Sequence, residues 1–501
     1  MALYRNIFGL RSRWWFCLVL WVTGLAAGRG QDWLHAGFLY DSNSLVWKPG
    51  ERTEALGPFF YSEKSGEESS WAIPPFWLSW HDSLAKAQES DILYPLFTYR
   101  RYEDEYRYQF FQIFALAGGA SPSTNNSSHD GRLTLFPVYF QQWSDDPGRR
   151  YWAVFPFYGH LQFRFFRDES FFVMFPLYAQ SKKKDAVTDN FLFPIVHFRR
   201  GPELRGWQVW PLIGHEHKDP SVSTNGFGDL TAMPGRDIWF GLWPMINFAE
   251  TQLGTESPQY EQAILPFYDY VRSPDRDSTT VLWPLIAHVT DRRLQYKEWQ
   301  VPWPLIIFAH GPGKHTTRVF PFYSHAENAT EESGFVAWPL YKINHVHSGN
   351  LDRRRWRIML FLYSDTTQTN TETGKFDRRR DFWPFYRYIQ DMNGNSRLQI
   401  FTPLEPFVPY AEHIERVWSP LWSVWRSESN PKTGASSQSF LWNLYRRDAN
   451  PESKKCSLLF GLFQYQSGSA GKQLRLFYIP VMKKAAPAAA DSGETISPAP
   501  H

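Results

Sequence analysis

An all-β protein, built as an antiparallel β-meander of short repeats, is the fold this sequence predicts, and three observations predict it. The first is a tetrapeptide of aromatic or Leu, Pro, apolar, apolar, which occurs thirteen times between YPLF at 94–97 and WPFY at 383–386. From Pro137 its spacing runs 19, 20, 18 and 17 residues, and a sustained period of this size marks a repeat architecture. The second is turn chemistry between the copies: SDDPGR (144–149), RDES (167–170), RSPDRD (272–277), HGPGK (310–314), NGNS (393–396) and SGSAGK (467–472). The third is composition. Aromatics make up 18% of the 501 residues, as 24 Trp, 25 Tyr and 41 Phe, which suits strands better than helices. About one polar turn per motif implies one strand and one turn per repeat, with the proline near the middle of each strand. A row of such prolines would bend the array into a large barrel-like or bent-sheet structure.

Taken in order, GPFFY (57–61) and IPPFW (73–77) are early copies, and thirteen regular ones follow. The longer gap from Pro211 to Pro244 holds an insertion or a decayed copy around FGDLTAM. Weaker echoes stand at LFLY (360–363), SPLW (419–422), LWNLY (441–445), LFGLF (459–463) and FYIP (477–480). Period-2 alternation puts positions −2, +2 and +4 from each proline on one face. Val154, Tyr158 and His160 are one such set, and Ile264, Tyr268 and Tyr270 another. Position +3 turns small or polar, as in Gly159, Ala179, Asp269, Lys342 and Arg387. GASPSTNNSSHDG (119–131) reads as a long loop.

The ends differ from the array. Arg5, Arg11 and Arg13 precede the apolar run WWFCLVLWVTGLAA, and AAGRG follows, the order of a secretory signal peptide over residues 1–30. The expected organisation is therefore signal peptide 1–30, β-repeat domain 31–483 and a disordered Ala/Pro/Ser-rich tail 484–501. The formal charge of +3 includes four Arg within the signal, so the processed chain carries 49 − 50 = −1 and offers no basic footprint for nucleic acid. Lys182–Lys184, Arg353–Arg355 and Arg378–Arg380 read as solvated turn charge. Cys17 lies in the signal, which leaves Cys456 with no disulfide partner. Sequons stand at Asn125, Asn126 and Asn328.

No nucleophile elbow, Walker A loop or His-Glu-x-x-His motif is present, so no catalytic set can be assembled and no cofactor is expected. His215 with His217, and His345 with His347, are spaced to share a strand face and are the candidate metal ligands. Against that stands the repeat itself. His160, His215, His288 and His325 all take the +4 position that Phe or Tyr fills elsewhere, which favours a structural role. Glu103, Asp104 and Glu105 in YEDEY read as a solvated turn.

In broad pattern residues 57–480 resemble bacterial outer-membrane β-barrels and exported β-repeat envelope proteins: a signal, many strands, abundant aromatics and few cysteines. The resemblance implies an exported, non-enzymatic protein of the cell envelope, in the periplasm or outer membrane or secreted, with a structural or binding role. The partner would be a membrane surface or a glycan; an outer-membrane transport barrel is the further alternative. One energetic argument opposes lipid-spanning strands. A proline in mid-strand removes a ladder donor and orphans a carbonyl, which hydrocarbon does not tolerate.

Overall fold

A computed structural model describes residues 37–120, 129–224, 228–407, 413–469 and 471–485. The stretch expected to be a signal peptide, with Asn125 and Asn126, lies outside these residues, as does the chain beyond 485. The described chain is nearly all antiparallel strands, most of them paired with their neighbours in sequence within each unit, as the repeat predicted. It divides into two units. One is Ala85–Trp383; the other combines the described parts of Met1–Leu84 and Pro384–His501.

The repeat is not one strand and one turn. Each copy of about 20 residues holds two strands and two turns, and the proline lies in a turn. Between Pro156 and Pro176 run the strands Tyr158–Arg164 and Arg167–Val173, and Tyr178–Lys183 follows. Met174–Leu177 is a four-residue turn closed by the Leu177 N–H donating to the Met174 carbonyl at 2.8 Å, with a cis Phe175–Pro176 bond at its centre. This is the turn class that takes cis-proline at its third position. Counting this one, twelve motif prolines from Pro95 to Pro339 have the same bond type. In a turn the missing proline N–H costs no ladder hydrogen bond, so no row of mid-strand bends exists and the expected bending device is overturned.

The proline turns nonetheless continue the sheet. Phe175 N–H donates to the Pro156 carbonyl, and Phe193 N–H to the Pro176 carbonyl, each at 2.7 Å. Trp243 N–H reaches the Pro211 carbonyl at 2.6 Å. The motif aromatics follow suit, with ring centroids 5.3 Å apart for Phe155–Phe175 and 5.4 Å for Phe175–Phe193.

In the central unit the strands run from Ala87–Ile92 to Phe376–Phe382 as a meander. The long Pro211–Pro244 gap is an insertion, a separate hairpin of Ser221–Thr224 with Leu230–Met233, while Ile213–Lys218 pairs directly with Gly235–Gly241. Arg353–Arg355 and Arg378–Arg380 are strand residues, not turn charge: Arg378 and Arg380 converge on the buried Asp365. One face is packed by small residues. Phe140, Tyr151, Ala153, Leu161 and Phe172 form a buried cluster against Ala179. Within it a Cβ on Gly159 would lie 2.3 Å from the Ala153 Cβ and 2.5 Å from the Phe172 ring. Gly159→Val should therefore cost about 1–3 kcal/mol through overpacking, read as a lower denaturation midpoint at unchanged slope.

The terminal unit contains two runs of strands, from Asp41–Ser44 to Trp77–Asp82 and from Tyr386–Gln390 to Ile479–Ala485. The first strand pairs only with Glu51–Ala55 and the last only with Gly471–Leu476, so among the described residues the meander is open. Lys484 and Ala485 belong to that last strand rather than to the expected tail. SPLW is no strand echo but a short helical turn, Ser419–Trp422, which follows a π-helical turn at Ile414–Trp418. Val417 from this segment packs on Tyr61, Ala72 and Leu78, and the Tyr61 hydroxyl donates to the Arg416 carbonyl at 2.8 Å, so the two runs share one core.

Candidate functional site: an apolar turn edge and a buried ion-pair centre

Two features rise above the repeat, one in each unit. In the central unit it is the edge that carries the proline turns. Most residues flanking the prolines are exposed and apolar, among them Leu177, Phe193, Ile195, Leu212, Trp243, Met245, Trp283, Leu285, Trp303, Leu305, Trp338 and Leu340, while Phe155, Phe175, Trp210 and Leu265 are half-buried. Each is half in water although none is polar, which is unusual for turns.

Away from that edge one face changes character in ordered rows. Beside the turns stand Phe191, Ile213, Tyr268, Val281, Tyr323 and Val336, all exposed. Two residues further along each strand comes an aromatic row. Phe198, Trp207, His215, Trp239 and Phe248 are successive cross-strand partners; after Gln262 comes Tyr270, and after Thr279 come His288, Trp299 and Phe308. Two residues further again the row is charged or polar: Arg200, Arg205, His217, Asp237 and Glu250, then Arg272, Asp277, Thr290 and Lys297. At about 3.3 Å per residue, the charged row lies roughly 13 Å from the one beside the turns. The opposite face over the same strands is the packed one: Gly214 lies against Phe240, and Ala249, Ala263, Ala287, Val289 and Ile307 are buried beside Asn247 and Asp269.

The +4 histidines sit in the aromatic row. His215 stacks on Trp239 at 4.0 Å and 13°, and His288 lies against Trp299 at 4.3 Å. His215 and His217 both face Asp237, each through a different oxygen, at 2.9 and 2.7 Å. Hydrogen bonds to Asp237 and Asp219 raise the His217 pKa. Burial alone would raise Asp237, but the hydrogen bonds to His217 and His215 bring it below the ordinary carboxylate value. Glu103 and Asp104 form a plain two-residue turn.

In the terminal unit the feature is a cavity of about 290 Å³, lined by Trp47, Arg52, Glu54, Glu63, Arg397, Arg426, Glu428, Trp442, Asn443 and Arg446 among others. Its walls are ion pairs. Arg52 bridges Glu54 at 2.6 Å and Glu63 at 2.7 Å. Arg397 and Arg426 share Glu428 at 2.8 and 2.7 Å. Arg446 pairs with Glu54 and, at 2.8 Å, with Asp448. Asn443 donates to Glu54 at 2.7 Å, and the Arg52 and Arg397 guanidiniums lie over the Tyr61 and Trp47 rings at 4.1 and 4.6 Å. Arg397 also reaches Glu415 at 3.1 Å, which Arg387 shares at 3.0 Å, so five arginines meet five carboxylates. Sequence reasoning missed this centre because its members lie hundreds of residues apart, and nothing local marks Glu54 or Arg446 as buried. Three of its strands do carry the alternation Arg-x-Glu or Arg-x-Asp (52–54, 426–428, 446–448), the one signal available.

Burial would push the Glu54 carboxyl up, but Arg446 and Arg52 hold it down at about 2 against an ordinary 4.5. Glu428 is lowered in the same way by Arg426 and Arg397. A carboxylate depressed in the folded state contributes stability that is complete above its unfolded pKa and lost as pH falls through the folded one. The terminal unit should therefore lose stability progressively from about pH 4.5 down to about pH 2. Amide exchange of Glu51–Ala55 and Tyr445–Ala449, measured across that window, checks it; unchanged protection at pH 2.5 would contradict it.

The arrangement contains strong acceptors and donors but no activated nucleophile, and its charges already satisfy one another. Comparison with protein-family models and with curated proteins finds no match for this chain.

Proposed function

We propose that this is an exported, non-enzymatic protein of the cell envelope that lies on a bilayer with its proline-turn edge sunk into one leaflet. The order of rows on the central unit carries the reading: aliphatic turns, then an aromatic band, then charge, all on one face. That is the sequence of environments a surface meets on leaving hydrocarbon through the interface into water. The turns suit the task because the sheet's hydrogen bonding continues through them and the proline lacks the N–H that lipid would leave unsatisfied. The earlier objection to lipid contact rested on prolines in mid-strand, and no motif proline of the central unit is there.

Insertion stops at one leaflet on grounds of length. The strands are mostly five to eight residues, about 17–26 Å, and only the part nearest the turns is apolar. A hydrocarbon core is about 30 Å thick, and spanning strands need about 9–11 residues. A transport barrel made of these strands is therefore disfavoured, as is a freely secreted protein that keeps this edge in water.

Vesicle flotation tests the reading. The processed protein should float with liposomes, and lipids brominated along the acyl chain should quench tryptophan fluorescence; replacing Trp243, Trp283, Trp303 and Trp338 with Phe should remove most of that quenching. Protein that stays at the bottom of the gradient overturns it.

A further inference from the structure

The two His-x-His pairs look alike in sequence and differ in the fold. In the first, Asp237 offers each imidazole its own oxygen, and His215 is held flat against Trp239. In the second, on the strand Tyr341–Ser348, both imidazoles converge on one atom. His345 Nε2 lies 2.5 Å and His347 Nδ1 3.0 Å from Oδ1 of Asp352, which stands directly across the hairpin from His347. The donor atoms of all three residues lie within 4.8 Å of one another. A tetrahedral ion with bonds of about 2.0–2.2 Å needs its ligand atoms about 3.3–3.6 Å apart, so small rotations complete the set.

The surroundings of His345 add a second observation. Arg354 Nε lies 3.1 Å from its Nε2 and Glu332 3.7 Å from its Nδ1, so each ring nitrogen faces a charged neighbour. His345 Nε2 and Asp352 Oδ1 also share a hydrogen bond of 2.5 Å. A cation held by both groups would take the place of that shared proton. The Arg354 guanidinium only approaches that role: its Nε is 3.5 Å from the far Asp352 oxygen, and two thirds of its side chain is exposed, free to swing aside.

We propose that His345, His347 and Asp352 bind a divalent transition ion, zinc in the first instance, with Glu332 as the carboxylate that orients His345 from behind and Arg354 as a competitor that the ion displaces. Two imidazoles and a carboxylate suit zinc better than calcium or magnesium. The exposed side of His347 leaves the ion reachable from water and a fourth position open to it.

The full processed chain, stripped with chelator, should take up zinc in a calorimetric titration, and cobalt(II) should give the intense visible absorption of a four-coordinate site. His347→Ala and Asp352→Asn should each remove one equivalent, while circular dichroism stays unchanged. Glu332→Gln should weaken binding about 10–100-fold. Arg354→Ala should strengthen it, an outcome that a purely structural cluster would not give. His217→Ala should change nothing. Zinc stoichiometry that survives both His347→Ala and Asp352→Asn overturns the proposal, and so does Arg354→Ala weakening the binding.

Discussion

Replacing Met245, Leu285 and Leu305 together with glutamate should abolish flotation with vesicles while leaving the fold intact. Each residue follows its motif proline, and each is already about half exposed, at 48%, 46% and 42%. In water the substitutions remove little buried contact and should each shift stability by no more than about 0.5 kcal/mol. On a bilayer the balance differs. Fully burying such a side chain is worth roughly 1.5–3 kcal/mol, so covering the exposed half gains about 1 kcal/mol per residue. Three losses amount to about 3 kcal/mol, more than 100-fold in partitioning, before the added cost of bringing three carboxylates to the hydrocarbon boundary. Thr290→Glu is the matched control, because Thr290 lies in the charged row of the same unit. A second copy of the chain is the competing occupant of this edge. If the triple variant turns a soluble oligomer into a monomer and the parent protein never floats, the lipid reading fails.

The all-β meander was legible from the spacing alone, yet the role of the proline was not. A pattern symmetric about the proline fits a strand and a hairpin turn equally well. Val154 and Tyr158 share a face either as i and i+4 of one strand or, as here, as direct partners across a turn. Strand length could have decided between them. One strand per copy of about 20 residues would have needed roughly 16 residues, about three times the ordinary length. The apolar character of the turn argued the other way, because turns are normally polar, and that exception is the feature on which the proposed membrane edge rests. Histidine shows the opposite limit. Sequence spacing offered His215/His217 and His345/His347 as equals. Cross-strand register puts an Asp opposite the second histidine of each pair, Asp237 and Asp352, and separates the pairs only at the first, which faces Trp239 in one and Arg354 in the other. The buried arginines and glutamates of the terminal unit were out of reach, since register between segments nearly 400 residues apart leaves no local mark.

That ion-pair centre sets the second large effect. Glu54→Gln should destabilise the terminal unit by about 3–5 kcal/mol, because it leaves Arg446 and Arg52 buried with one carboxylate too few. Arg446→Met should cost a similar amount by the converse imbalance, with Glu54 and Asp448 both losing a partner. The double variant is the informative one. It restores the charge count and substitutes an apolar side chain of comparable length, and buried pairs replaced as a unit are often close to neutral. The expected cost of the pair of changes is therefore well below the sum of the two, with a coupling of about 0.5–3 kcal/mol. Hydrogen exchange on Glu51–Ala55 and Tyr445–Ala449 reads the change locally, apart from the central unit, whose strands should keep their protection. Simple additivity of the two single variants would mean that Glu54 and Arg446 act through their other partners. The centre would then be a set of independent pairs rather than a single balanced network, and the pH dependence derived for Glu54 would have to come from Arg52 alone.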